Sequence, residues 1–189
     1  MSAPANRLAP ALLLVWGLAA TAFVGMGMLP RMPFPPPVFV GLGVLLSLIF
    51  LIFVPGFAAW VKTVDIRWIL GFHLVRFVGI YFLILASQGR LDDYFARTAG
   101  IGDIITATGA VALILIPAAR EGLGLKIWNA FGFADILFVV FNAARVVRTA
   151  PERFTEFFHL PLGLLPTFIV PVIVVSHVVI LFRLRRAAA

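Results

Sequence analysis

Apolar residues run along this chain in blocks, and polar positions collect in the gaps between them. A helix rises 1.5 Å per residue, so about 20 apolar residues cross the ~30 Å hydrocarbon core of a bilayer. Six blocks reach or approach that length: Leu8–Leu29, Val38–Trp60, Trp68–Gln88, Gly100–Ala118, Ile127–Val147 and Leu164–Phe182. The first has 22 residues. A secretory apolar region needs only about 7–15, so this block reads as a retained first span.

Charges, prolines and glycines fill the gaps. PRMPFPPP, from Pro30 to Pro37, cannot be helical and predicts a stiff, extended turn. VKTVDIR, GRLDDYFARTA, REGLGLK and RTAPERFTEFFHLPLG form the other four connectors. In the third, Leu91, Tyr94 and Phe95 recur at helical spacing and predict a stretch lying flat at a lipid interface. In the fifth, Phe154, Phe157 and Phe158 are the expected interfacial anchors. No connector is long enough to fold as a separate soluble domain. The pattern therefore predicts an all-α integral membrane protein over residues 1–189, a bundle of six transmembrane helices in one polytopic domain. A repeat of three spans against three, the signature of many transporters, is not evident.

Composition strengthens that reading. Hydrophobic residues make up 62% of the chain and charged ones 12%, against about 45–50% and about 25% in a soluble domain. There is no cysteine, which excludes disulfides, thiolate metal sites and iron–sulfur clusters. The net charge of +7 suggests no nucleic-acid partner, because the basic residues sit at block ends, as in the RLRR of Arg183 to Arg186. They read as headgroup and topology signals, and the lipid bilayer is the expected partner.

With six spans the termini share a side. That side carries Arg7, Lys62, Arg67, Arg120, Lys126, Arg183, Arg185 and Arg186. The other carries Arg31, Arg90, Arg97, Arg145, Arg148 and Arg153. Eight against six places both termini in the cytoplasm of a bacterial-type inner membrane. Trp60, Trp68 and Trp128 fall at expected interfaces, whereas Trp16 falls deeper and reads as a packing residue.

The candidate chemistry comes from polar residues inside the blocks. Counted from the cytoplasmic face, His73 on span three and His177 on span six both lie about 8 Å deep. Arg76 on span three and Asp135 on span five both lie about 12 Å deep. Four ionisable groups from three helices thus converge on one layer. An unpaired charge in lipid costs at least ~2.5–3.5 kcal/mol, so Arg76 and Asp135 are expected to pair. Asn142 lies on the same stripe of span five as Trp128, Gly132 and Asp135. Near the opposite face Asp103 and Arg145 form the expected secondary ion pair. Gly102, Thr106 and Ala110 make a small-residue face for close helix packing. Pro55 and Pro171 are expected to kink spans two and six.

Three function classes follow. In the leading one, His73, Arg76, Asp135, His177 and Asn142 line a buried polar pocket that binds a small anionic ligand or relays protons. In the second, His73 and His177 are axial ligands of one haem b in a membrane redox anchor, with Arg76 near a propionate. A zinc or copper ion held by the two imidazoles and Asp135 ranks below haem, since Arg76 would oppose it. In the third the chain has no chemistry and serves as an accessory or assembly subunit, in a homo-oligomer or a larger membrane complex. Signatures of hydrolases, zinc peptidases and phosphate loops are absent, so no enzyme class and no catalytic residue is assigned.

Overall fold

The computed structural model describes residues 5–121 and 123–187; Gly122 of the fourth connector and the chain ends lie outside them. Helix accounts for 87% of the structure, with no strand among the described residues. In chain order the α-helices are α1 (Ala5–Gly25), α2 (Pro36–Phe53), α3 (Pro55–Thr63), α4 (Ile66–Phe72), α5 (Val78–Ser87), α6 (Asp93–Leu115), α7 (Pro117–Arg120), α8 (Leu123–Thr149) and α9 (Val170–Ala187). Tighter 3-10 turns cover Leu29–Arg31, His73–Phe77 and Pro151–Phe158, and a wider π turn covers Leu165–Ile169. Six helical stretches are long and apolar enough to cross a membrane: Leu8–Gly25, Pro36–Phe53, Ile66–Ser87, Asp93–Leu115, Leu123–Thr149 and Leu165–Arg186.

Prolines and caps set the boundaries. The residue before a proline is pushed out of the helical region. Val54 (φ −109°, ψ 96°) and Ile116 (φ −113°, ψ 94°) are extended for that reason. The expected second span is therefore broken after Phe53, and Pro55 opens a new helix rather than kinking one. The fourth span ends at Leu115 and begins at Asp93, seven residues before the expected Gly100. Asp92 caps it by accepting a hydrogen bond from the Phe95 amide at 2.8 Å. The third connector is thus mostly helix. Leu91 and Phe95 are buried in it, not laid at an interface, and only Tyr94 of the three is exposed. Phe154 and Phe157 of the fifth connector are buried as well.

A proline also leaves the carbonyl four residues earlier without its helical donor. Two of these carbonyls receive side-chain donors. Thr167 O, orphaned by Pro171, accepts from Trp16 Nε1 at 3.1 Å. Leu113 O, orphaned by Pro117, accepts from Arg120 Nη1 at 3.1 Å. In an apolar surrounding an unmet carbonyl is costly, so each donor offsets the bond its proline removes: at the break before Pro117, and within the continuous last span at Pro171.

The chain divides into two compact units. One comprises the residues up to Val64 with Thr155–Val175; the other comprises Asp65–Phe154 with the residues from Ser176 onward. In the first, Trp16 meets Phe168 edge-on at 5.3 Å, and α2 approaches Pro171 at Gly43, where a Cβ would lie 2.6 Å from the ring. In the second, Leu70, Ala110, Leu113, Leu125, Trp128 and Ile180 form a packed core. In that unit α5 and α6 meet backbone to backbone at Gly79 and Gly100: a Cβ on Gly100 would lie 2.7 Å from the Gly79 carbonyl. Between apolar helices in lipid such close approach replaces the hydrophobic driving force available in water.

Candidate functional site

The polar residues gather in the second unit, around the middle of the third span. There the helix tightens to 3-10 over His73–Phe77. At three residues per turn, positions i and i+3 eclipse, so His73 and Arg76 stand on one face, one above the other. Both are buried, Arg76 to 1% exposure.

The Arg76 guanidinium is held on three sides. Nε donates to Asp103 Oδ1 at 2.6 Å, Nη2 donates to Asp135 Oδ2, and Nη1 donates to the Gly132 carbonyl at 3.1 Å. One cation therefore sits between two carboxylates from two helices, α6 and α8. Glycines make the space. A Cβ on Gly102 would run into the Asp135 carboxylate, and one on Gly79 would come within 3.0 Å of Asp103 Cβ. Side-chain exposure falls from 10% at Asp135 to 6% at Asp103 and 1% at Arg76, so Asp135 is the outermost member.

The imidazoles lie beside this triad. His177 Nδ1 is 2.9 Å from Asn129 Oδ1, and Asn129 Nδ2 donates to the His177 carbonyl at 3.2 Å. The carbonyl accepts only a donor, which fixes the amide's orientation and turns its oxygen to the ring. Neutral His177 is thus the Nδ1–H tautomer, with the lone pair on Nε2. His73 Nε2 is 2.9 Å from Ser176 Oγ. Both rings are fully buried, and His73 Nδ1 and His177 Nε2 have no hydrogen-bond partner. The ring centroids are 4.6 Å apart at 63°. Trp128 meets His73 at 4.9 Å and His177 at 5.4 Å, with its Nε1 donating to Thr106 O at 2.8 Å. Gly109 admits that indole, since a Cβ there would lie 2.6 Å from Trp128 Cδ1.

The expected Arg76–Asp135 pair is present, and His73 and His177 are neighbours. Three expectations need correction. Asp103 pairs with Arg76, not with Arg145. The cause is the early start of α6, which puts Asp103 ten residues, about 15 Å, into its helix rather than near the end. Arg145 instead reaches Asp92 at 3.1 Å and lies over the Tyr94 ring at 5.1 Å. Asn142 is buried but donates to Phe138 O of its own helix and faces Arg145, one heptad from Asp135 and about 10 Å along the axis. Trp128, expected at an interface, is buried at 7% exposure. Asn129, Ser176 and the role of the glycines were missed. Their available signals are Asn129, Gly132 and Asp135 at three-residue spacing on α8, and Ser176 adjacent to His177.

The haem expectation does not fit this geometry. Axial ligation places two imidazoles end-on to the iron on opposite faces of a macrocycle. Here the rings meet at 4.6 Å with one nitrogen of each already bonded to Ser176 or Asn129, leaving no gap for a porphyrin plane. Among the described residues no three His, Asp or Glu side chains converge as a metal-ligand set, so the zinc or copper alternative has no third ligand.

Comparison with known proteins adds a family and no chemistry. A family model described as a domain of unknown function (DUF8737) matches residues 33–185, which include every residue of the triad and the imidazole pair. No curated protein and no solved structure matches the chain.

Proposed function

Given that the chain belongs to the DUF8737 family, whose description names no activity, we propose that it is a multi-pass membrane protein whose Asp103–Arg76–Asp135 triad holds an exchangeable proton. The setting is a bacterial-type inner membrane with both termini in the cytoplasm, as the Lys and Arg count favours. Six apolar helices support insertion. So do large apolar side chains turned outward, such as Ile52 and Phe141, each 70% exposed. Water would penalise such a surface and lipid does not.

One observation carries the proton reading: a buried guanidinium is shared by two carboxylates. With all three ionised the triad carries one negative charge, which a low-dielectric interior disfavours. A proton on either carboxylate restores neutrality. An anionic ligand, the other half of the leading expectation, would meet that excess negative charge, and Arg76 has already committed Nε, Nη1 and Nη2. A larger cation would need room that the packing does not leave, since even a methyl group on Gly102 would run into Asp135. The chain then works as a proton-binding element, either relaying protons or coupling their movement to another step.

The test is infrared spectroscopy of the full chain in phospholipid vesicles across a pH series. Near neutral pH the C=O stretch of a buried protonated carboxylic acid is expected in the wild type and gone from Asp135→Asn, Asp103→Asn and the double variant. A wild type without that band, or a double variant that keeps it, overturns the proposal.

A further inference from the structure

We infer that the His73–His177 pair is a second station for the same proton, with His177 Nε2 as its acceptor atom; this rests on the proton reading of the triad. Three observations carry it.

The first is the orphaned nitrogen. His177 is fully buried and Nε2 has no partner. A buried polar atom left unpaired is costly, so its retention calls for an explanation. Asn129 makes the situation specific. By accepting from Nδ1–H and donating to the His177 carbonyl, it leaves only Nε2 to take a proton.

The second is placement. The space at Gly132 is where the two stations meet. Its carbonyl accepts from Arg76 Nη1, and a Cβ on it would lie 2.8 Å from His177 Cε1 and 3.1 Å from Nε2. The unpartnered edge of the imidazole therefore abuts the residue that helps seat the guanidinium.

The third is charge. The charged or titratable groups around the ring are His73 and Arg76 of the third span, Asp103 of α6 and Asp135 of α8; Trp128, Asn129, Thr106 and Phe133 complete its surroundings. With the proton on a carboxylate, Arg76 balances the remaining carboxylate and both imidazoles are neutral. With the proton on His177, one imidazolium and one guanidinium balance two carboxylates. The layer is neutral in both states. A carboxyl O–H breaks, an N–H forms at Nε2, and the net charge of a poorly solvated interior does not change. The 4.6 Å between rings opposes two imidazoliums at once, so the pair takes a single proton.

The experiment is nitrogen-15 NMR of histidine-labelled full-length protein in phosphatidylcholine vesicles, read beside the carboxylic infrared band. The neutral state of His177 is expected to show a protonated Nδ1 and a bare Nε2. The two states hold the same number of protons, so the His177 imidazolium signal should fall together with the carboxylic band as pH rises. Asp103→Asn and Asp135→Asn each leave the layer neutral without a proton, so each should abolish the imidazolium. Asn129→Leu, which keeps the ring, should release the tautomer into a mixture. His177→Gln should remove the imidazolium and leave the carboxylic band. A bare Nδ1 on neutral His177 overturns the inference. So does an imidazolium that persists in the Asn variants, or its absence throughout the titration of the carboxylic band. In these cases the band itself survives and with it the triad reading; loss of the band from the wild type removes both.

Discussion

At the scale of single residues, the triad makes a prediction that a simple ion pair does not. Removing one partner of a buried pair leaves an uncompensated charge and costs about 3–5 kcal/mol. Arg76→Ala should cost that much, because it strands two carboxylates. Asp135→Asn should cost far less, since Arg76 keeps Asp103 at 2.6 Å and the site becomes neutral without a proton. The Asp103→Asn/Asp135→Asn double variant should again cost about 3–5 kcal/mol, now by stranding the guanidinium, so the two single effects will not add. Unfolding in mild detergent compares the wild type with Arg76→Ala, the two single Asn variants and the double variant; additive single effects would mean that the carboxylates do not share Arg76. Outside the spans, Asp65 offers a second test. The side chain of Arg67, donating from Nε and Nη2, and the Arg67 amide hold its carboxyl down at about 2, against an ordinary 3.8. A lowered value contributes stability that is present above 3.8 and lost as pH falls through about 2. Carboxyl NMR should find that midpoint and find it higher in Arg67→Ala. Residue chemistry was legible in the sequence to the extent that depth was. Arg76 and Asp135 match because the starts of their spans were nearly right. Asp103 was misplaced because a cap at Asp92, and not the onset of apolar residues, starts its helix.

Element-scale behaviour turns on glycines whose roles differ although their spacing looks alike. Gly100 lies where α6 touches α5 backbone to backbone, and Gly71 in α4 has open space around its would-be Cβ. Gly100→Ala should therefore cost about 1–3 kcal/mol through overpacking. Gly71→Ala should be neutral or stabilising by about 0.5–1 kcal/mol, the ordinary helix preference for alanine. Thermal unfolding in one detergent compares them, and equal effects would contradict the α5–α6 crossing. The same contrast shows why the sequence yielded the spans more readily than the site. Span existence depends on apolar length, which any window detects. Span integrity depends on residues before prolines, and two breaks, at Val54 and Ile116, passed as interior positions. The small-residue face of Gly102, Thr106 and Ala110 was recognised as a packing surface, yet Gly102 makes room for a carboxylate rather than for a helix. No periodicity distinguishes those uses, because both require only the absence of a side chain. The 3-10 turn at His73–Phe77 was likewise invisible, although the three-residue spacing of His73 and Arg76 gave their common face in either helix type.

For the whole molecule, the proton proposal requires that the apolar stretches cross the bilayer, so that the triad lies between two aqueous phases and not on one surface. The chain contains no cysteine, and single substitutions therefore report sidedness without background. Lys62 and Arg185 are exposed at ends assigned to the cytoplasm, and Arg90 and Arg153 are exposed at ends assigned to the opposite side. In intact cells a membrane-impermeant maleimide should label Arg90→Cys and Arg153→Cys, and should reach Lys62→Cys and Arg185→Cys only after lysis. The comparison between positions 62 and 90 is the most demanding, because Ile66–Ser87 between them contains both His73 and Arg76. A shared labelling pattern for those two positions would put that stretch on one face of the membrane. The buried guanidinium would then be an ordinary ion-paired core residue, and no phase boundary would exist for a proton to cross. Opposite labelling leaves Arg76 inside the membrane with two carboxylates, where neutrality calls for one proton.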